Sequence, residues 1–507
     1  MMMRISVILS ISLSLICLPA FSQSAVYKEK HRPQFHFSPP AHWMNDPNGM
    51  VYYKGEYHLF YQYYPDSTVW GPMHWGHAIS DDLIHWQHLP VALYPDSLGY
   101  IFSGSVVVDE NNTSGFQTGK EKALVAVFTY HHMIGEKAGK TNFQTQGIAY
   151  SIDKGRTWKK YSKNPVIPNP GIKDFRDPKV SWHAATKKWI MTMAAGNQVW
   201  FYQSNNLKNW QLSGTFGANE GSHGGVWECP DLFELPIANS KKSKWVLLVS
   251  IGNGAPNGGS GTQYFIGDFN GKAFINSNPK QTELWLDYGS DNYAGVTWSN
   301  APDKRSLFLG WMSNWQYAQT VPTRAWRSAM TIPRELSLHQ NKEGIRLFTN
   351  PAKEIKGLRT ASCRIDPSNK TASSFSLGEM DLVFDLAQTG SDDFGVEIFN
   401  DQNEKVTIGY HTSSNQYYID RTKSGESSFS KQFPAKHFAP RLLQDKKLTM
   451  HLFIDHSSVE LFADGGSVTM TDIFFPTEKF NKIRLFEQNG SAGLIEGTVY
   501  ELRSIWK

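Results

Sequence analysis

Three carboxylates stand in surroundings that ordinary surface acids do not have. Asp46 lies in Trp43-Met44-Asn45-Asp46-Pro47-Asn48-Gly49, Asp177 in Asp174-Phe175-Arg176-Asp177-Pro178, and Glu228 in Val226-Trp227-Glu228-Cys229-Pro230-Asp231. Each is followed by proline, directly or one residue later. Proline fixes its own φ and steers the preceding residue towards extended backbone, which predicts stiffly held acids at 46 and 177. Rigid carboxylates suit nucleophilic and general acid–base work. The tryptophans nearby suit the apolar C–H faces of a sugar ring. Taken singly, an Asp before Pro is commonly a turn residue, so the catalytic reading depends on the three meeting in one pocket.

The elements that would bring them together read as strands. The chain has 507 residues, enough for two or three domains, and 40% hydrophobic residues supply a core. Aromatic residues reach 13% with 17 Trp against only 19% charged residues, a balance that favours an all-β fold. Residues 52–315 form short β-rich runs separated by Gly, Pro, Asn and Asp, with no long amphipathic helix. Within them a phrase recurs: Ser80-Asp81-Asp82-Leu83-Ile84-His85-Trp86, Ser151-Ile152-Asp153-Lys154-Gly155-Arg156-Thr157-Trp158 and Ser204-Asn205-Asn206-Leu207-Lys208-Asn209-Trp210. Recurrence at roughly fifty to seventy residues matches one four-stranded blade, so the Ser-Asx turn would end one strand of a β-propeller and the Trp would start the next. Acids on successive blades converge on the central channel.

After about residue 350 the pattern changes to cleaner period-two strands. Residues 449–455 and 458–463 flank a His456-Ser457 turn, and residues 382–384, 396–399 and 406–410 add further strands, predicting an antiparallel β-sandwich. The expected division is a signal peptide over 1–22, a propeller over 30–350, a linker near 351–361 and a sandwich over 362–507.

Trp43-Met44-Asn45-Asp46-Pro47-Asn48-Gly49, Phe102-Ser103-Gly104-Ser105, Phe175-Arg176-Asp177-Pro178 and Trp227-Glu228-Cys229-Pro230-Asp231 resemble the signature motifs of glycoside hydrolase family 32, which contains invertases, inulinases and levanases. Further similar stretches are His74-Trp75-Gly76-His77-Ala78, Gly310-Trp311-Met312-Ser313-Asn314-Trp315 and Ile454-Asp455-His456-Ser457-Ser458-Val459-Glu460, in the family's order over nearly the whole mature chain. The resemblance implies a five-bladed propeller followed by a sandwich, releasing terminal β-fructofuranosyl units from fructans and from sucrose with retention of configuration. Asp46 would be the nucleophile and Glu228, protonated at the start, the acid/base, their carboxyls roughly 5 Å apart. Asp177 would stabilise the oxocarbenium-like transition state, oriented by Arg176. Trp43, Met44, Asn45, Gln62, Trp70, Phe102, Ser103 and Trp315 match positions around the fructose pocket, with Trp311 as the other choice for the wall that Trp315 closes. No metal or cofactor is implied. One departure is Tyr64, where the family usually has Asn before Pro65.

The formal charge of +4, with both signs interspersed, excludes a nucleic-acid partner. Arg4, the apolar run of residues 5–18 and Ala20-Phe21-Ser22 form an export signal cleaved near Ser22, giving a secreted or periplasmic protein, and Ile16 argues against a lipoprotein anchor on Cys17. No later run is long enough to span a membrane. Cys229 and Cys363 are expected as small buried hydrophobes, allowing at most one disulfide. The glycine-rich residues 252–261 lack a phosphate-loop Lys, and His131-His132 lack further ligands at metal spacing. Asn112-Thr113-Ser114 fits a glycosylation acceptor. An arabinan- or xylan-directed inverting propeller hydrolase and a non-catalytic fructan-binding protein are the competing readings. Preference between β-2,1 and β-2,6 linkages, exo or endo action, oligomeric state and the role of the second domain stay open.

Overall fold

Five mainly antiparallel sheets fill the first two thirds of the chain, each opening with a strand buried along most of its length: His42–Tyr53, Tyr100–Asp109, Phe175–His183, Trp227–Pro236 and Tyr293–Thr297. The computed structural model describes residues 27–366, 373–374 and 378–506, so the signal peptide expected over 1–22 and Cys17 lie outside the described residues. The fold is all-β, with Met133–Lys137 as the α-helix among the described residues. Within each sheet the main strands follow one another in chain order. The five opening strands touch first to second and so on through the fifth, which touches the first, closing a ring. The closure has two latches. Trp326–Arg327 pairs in parallel with His42 and Trp43, and Val51 bridges Ser299.

The recurring Ser-Asx-Trp phrase makes the same turn each time. Ser80 Oγ donates to Asp82 Oδ1, Ser151 Oγ to Asp153 Oδ1 and Ser204 Oγ to Asn206 Oδ1, while the Asx oxygen accepts backbone N–H groups two to four residues on. This is an Asx turn, in which the side chain replaces a missing backbone partner. Each Ser ends the third strand of its sheet and the fourth begins directly after the Trp. In the fourth sheet Asn270 Oδ1 makes the corresponding contacts with Lys272 N and Ala273 N without the flanking Ser and Trp, which is why its repeat is invisible in the sequence.

Residues beyond 358 form two six-stranded sheets whose inward residues meet in one core. Met380, Leu382 and Phe384 alternate along Gly378–Asp385 and pack with Val396, Ile398 and Ile408 of the other sheet. The hairpin of Lys447–Asp455 and Ser458–Ala463 turns through His456-Ser457 as its pattern predicts. The segment read as a linker is structured: Lys353–Leu358 is a 3₁₀ turn with Ile355 and Leu358 buried, and Arg359–Arg364 pairs with Leu494–Leu502. That edge strand leaves Cys363 exposed, contrary to the expectation that both cysteines are buried; Cys229 is buried and both are free.

The two halves are joined by buried charge. Arg334 donates to Glu460 Oε2 at 2.5 and 3.1 Å, to Asp287 Oδ2 at 2.9 Å and to Thr471 Oγ1 at 2.6 Å. His36 bridges Asp455 and Glu460, both at 2.8 Å. Arg421 reaches across to Asp291 at 2.6 Å and to the Tyr317 hydroxyl at 2.9 Å. Burial by itself would depress His36, but its two carboxylate partners hold it raised, at about 9. Breaking one partner of such a network is costly because the others stay buried and unpaired. Arg334→Met is expected to lower unfolding stability by about 3–5 kcal/mol in urea titration. Because His36 is raised, its contribution is full below its ordinary value near 6.5 and is lost as pH rises through about 9. Thermal unfolding should therefore show a midpoint that falls between those pH values, and His36→Gln should flatten that fall.

Candidate active site

The ring's opening strands share one irregularity. In each, the ladder to its neighbour slips by a residue near the start: between Met44 and Pro47, Ile101 and Gly104, Arg176 and Lys179, Glu228 and Asp231, and Tyr293 and Val296. A bulge of this kind bends the strand and re-aims a side chain. Asp177, Cys229 and Ala294 take positive φ at these bulges, 63°, 45° and 53°. Asp177 therefore lies outside the extended region predicted from its proline neighbour, a strained conformation that packing enforces. The prolines have a different use. Pro47, Pro178 and Pro230 have no N–H to offer, and a bulge is where a strand tolerates that loss.

The bulges turn Asp46, Ser103, Asp177 and Glu228 into one cavity of about 390 Å³ at one end of the ring. Asn45, Gln62, Trp70, Phe102, Arg176 and Trp315 complete the predicted lining. Trp43 and Met44 do not line it, in correction of the sequence reading. Both are fully buried. Met44 points into the core, and Trp43 lies behind the wall with its ring 6.0 Å from that of Trp315. Trp315 supplies the wall, while Trp311 is buried behind it.

Trp43 still acts on the site through a directed chain of hydrogen bonds. Its indole can only donate, and it does so to Asn45 Oδ1 at 2.7 Å. This fixes the amide so that Asn45 Nδ2 faces Asp46 Oδ1, at 2.9 Å. Ser103 Oγ donates to Asp46 Oδ2 at 2.9 Å, and the Cys229 thiol lies 3.6 Å from that oxygen and 3.7 Å from Asp177 Oδ2. Burial pushes the thiol's pKa well up, so it stays a neutral donor between two acids. The Cys229 N–H donates to Asp177 Oδ2 at 3.1 Å. On the other side Arg176 forks between Asp174, at 2.7 Å, and Glu228 Oε1, at 2.9 Å, with Asp177 at 3.8 Å. Tyr293 donates its hydroxyl to Glu228 Oε2.

These contacts set the charge balance. Burial is the main cause of the upward shift at Asp46, assisted by the Glu228 charge and opposed by the Asn45 and Ser103 hydrogen bonds. Asp177 is pushed up to about 7, first by burial, with Arg176 pulling it down and Glu228 and Asp46 pushing it up. Asp177 thus holds its proton at pH values where an isolated carboxylate holds none. Gln62 Nε2 is buried in this setting without a hydrogen-bond partner among the described residues, a donor aimed at something the protein does not supply.

The sequence reading missed several contributors. His131, Met133, Glu136, Gln144, Asp174 and Gln319 also line the cavity. His131 pairs with Glu136 at 3.0 Å and stacks on Phe102 at 4.2 Å, so it buttresses the wall. Asp174, two residues before Arg176, had a local signal. Tyr293 had none, since only ring closure brings the fifth strand beside Glu228. Glu379, Asp381 and His451 form a cluster with metal-ligand spacing in the second half of the chain, where Arg359 already pairs with Glu379.

Comparison with known proteins shows the family. The model for the glycosyl hydrolases family 32 N-terminal domain matches residues 36–351, and that for the family's C-terminal domain matches residues 346–501. A levanase of Bacillus subtilis (strain 168) is 50% identical over 98% of the chain and 74% of its own length. An extracellular exo-inulinase of Aspergillus awamori is 37% identical over 98% of the chain and 99% of its own. The crystal structure of the exo-inulinase from Aspergillus awamori superimposes with a TM-score of 0.87 at 35% identity, covering 95% of this chain and 100% of that one. A β-fructofuranosidase from Schwanniomyces occidentalis complexed with fructosyl-erythritol gives 0.86 at 34%, covering 95% and 99%. With both family models matched in order along the chain and similar proteins spanning nearly all of it, the chain belongs to glycoside hydrolase family 32.

Proposed function

We propose that the protein is a retaining β-fructofuranosidase that releases terminal β-D-fructofuranosyl units from levan, inulin and fructo-oligosaccharides, and from sucrose. The observation that carries this reading is the convergence of Asp46, Asp177 and Glu228 around Arg176 in one cavity. Family membership and the levanase and exo-inulinase relatives support the substrate class. The ring of five sheets supports a five-bladed propeller over residues 30–350, and the paired six-stranded sheets a β-sandwich over 362–507. The N-terminal residues 1–22 are read as a signal peptide giving a secreted or periplasmic protein, in keeping with extracellular relatives.

In this mechanism Asp46 attacks the anomeric carbon as its bond to the departing oxygen breaks, and Glu228 gives that oxygen its proton. Water then attacks the fructosyl-enzyme, giving its proton to Glu228 and freeing Asp46. Asp177 and Arg176 hold ring hydroxyls and balance the positive charge that develops on the sugar. Asn45, Gln62 and Ser103 supply hydrogen bonds, while Trp70, Phe102 and Trp315 supply apolar walls. The unpartnered Gln62 amide is satisfied by a sugar hydroxyl.

Product chromatography on levan, inulin and sucrose should show free fructose from all three. Asp46→Ala should cost on the order of 10³-fold or more in kcat on each, and a loss under tenfold would exclude a covalent nucleophile there. Asp177 balances the developing charge only when ionised, and its raised value means that it is ionised above about pH 7 and neutral below, so kcat/KM should fall as the pH drops below about 7. Arg176 pulls Asp177 down, so Arg176→Gln should move that acid limb to higher pH while lowering activity. An unmoved limb would show that the guanidinium does not set the charge balance.

A further inference from the structure

The ring has a second mouth. The catalytic acids lie near the beginnings of the opening strands, whereas residues 107–108, 180–182, 231–233 and 297–300, towards their far ends, line a separate cavity of about 300 Å³. Its buried part holds an ion pair. Lys179 lies 3.2 Å from Asp231 Oδ2 and also donates to the Thr297 carbonyl. Thr297 donates to the same Oδ2 through its N–H at 2.6 Å and its hydroxyl at 2.7 Å. Asp231 is fully buried, and its other oxygen, Oδ1, has no hydrogen-bond partner among the described residues. Such an acceptor calls for a donor. The walls are largely apolar and include Trp182, 41% exposed, whose ring meets Trp189 edge-on at 5.1 Å, and the exposed amide of Asn300 stands at the rim.

We propose that this mouth is a second saccharide-binding site, which holds a distant stretch of the same polymeric fructan that is cleaved at the first. The chemistry favours a neutral polar ligand. Lys179 and Asp231 offset one another's charge, the exposed Glu110 in the lining repels an anion and offers a further acceptor, and a purely apolar ligand leaves the buried carboxylate oxygen unsatisfied. A neutral molecule with hydroxyl donors and apolar faces meets every group present, and an aromatic-lined pocket with a few convergent polar atoms is the usual form of such a site. Because the two cavities open at opposite ends of one ring, only a long chain reaches both. Short substrates use the catalytic cavity alone. The identity of the polymer rests on the fructosidase reading; the existence of the site does not.

The test compares polymer with sucrose in two variants outside the catalytic cavity. Trp182→Ala removes the exposed ring, and Asn300→Gly removes the rim amide while keeping a residue suited to φ 58°. Both are expected to raise KM for levan or inulin about tenfold with kcat unchanged, and to leave kcat/KM on sucrose as in the wild type. Unchanged polymer KM in both variants, or an equal loss on sucrose, would overturn the proposal. Gel retardation by polymeric levan and inulin separates the two readings. If the wild type cleaves neither fructan nor sucrose, the catalytic assignment fails. If retardation of the Asp46→Ala protein is unaffected by adding Trp182→Ala, the second site fails.

Discussion

Three carboxylates and one guanidinium share a partly buried cavity, and most of the surrounding structure answers that concentration of charge. Burial alone pushes Asp46 and Asp177 towards their neutral forms, and their mutual repulsion adds to it. What keeps the group together is a set of donors that carry no net charge: the amide of Asn45, the hydroxyls of Ser103 and Tyr293, and the thiol and N–H of Cys229. Arg176 supplies the single positive charge. The balance leaves Asp177 titrating near neutrality, so the negative charge it can set against the positive charge developing on the sugar depends on pH.

Such a cluster also needs a rigid frame, because like charges would otherwise move apart. The repeated bulge supplies it. Each opening strand of the ring slips at the same place, so residues far apart in the chain arrive at one point with their backbones fixed by the ladders on either side. The ring is in turn held against the second half of the chain by Arg334, His36 and Arg421. Their carboxylate partners come from both halves and are almost wholly buried. An interface made of buried ion pairs tolerates neither sliding nor partial opening, since any displacement leaves a charge unpaired in an apolar setting. The second half therefore serves as a fixed brace for the ring that carries the acids.

Much of this was legible in the chain. The Ser-Asx-Trp phrase announced the turn it forms, since an Asx turn is a local event written in adjacent residues, and the alternation around His456-Ser457 gave the hairpin. The acids stood out because a bulge that aims a side chain inward leaves a Pro beside it. What was illegible arose from long-range closure. Tyr293 sits in an unremarkable run, and its contact with Glu228 exists only because the fifth opening strand lies beside the fourth. Cys229 reads as a small buried hydrophobe, and it is buried, yet the bulge places its thiol between two acids. Trp43 and Met44 read as pocket residues from their resemblance to family positions, but the bulge between Met44 and Pro47 interrupts the strand's alternation, leaving Met44 in the core and Trp43 behind Trp315, where it orients Asn45.

The mechanism depends on Asp46 forming a bond to the sugar rather than serving as a base for water. The stereochemistry of the first product decides this most directly. NMR spectra recorded within the first seconds to minutes of sucrose or inulin cleavage, before the anomers equilibrate, should show β-fructose appearing first, as two successive displacements require. Initial release of the α anomer would mean a single displacement by water and would contradict the role assigned to Asp46.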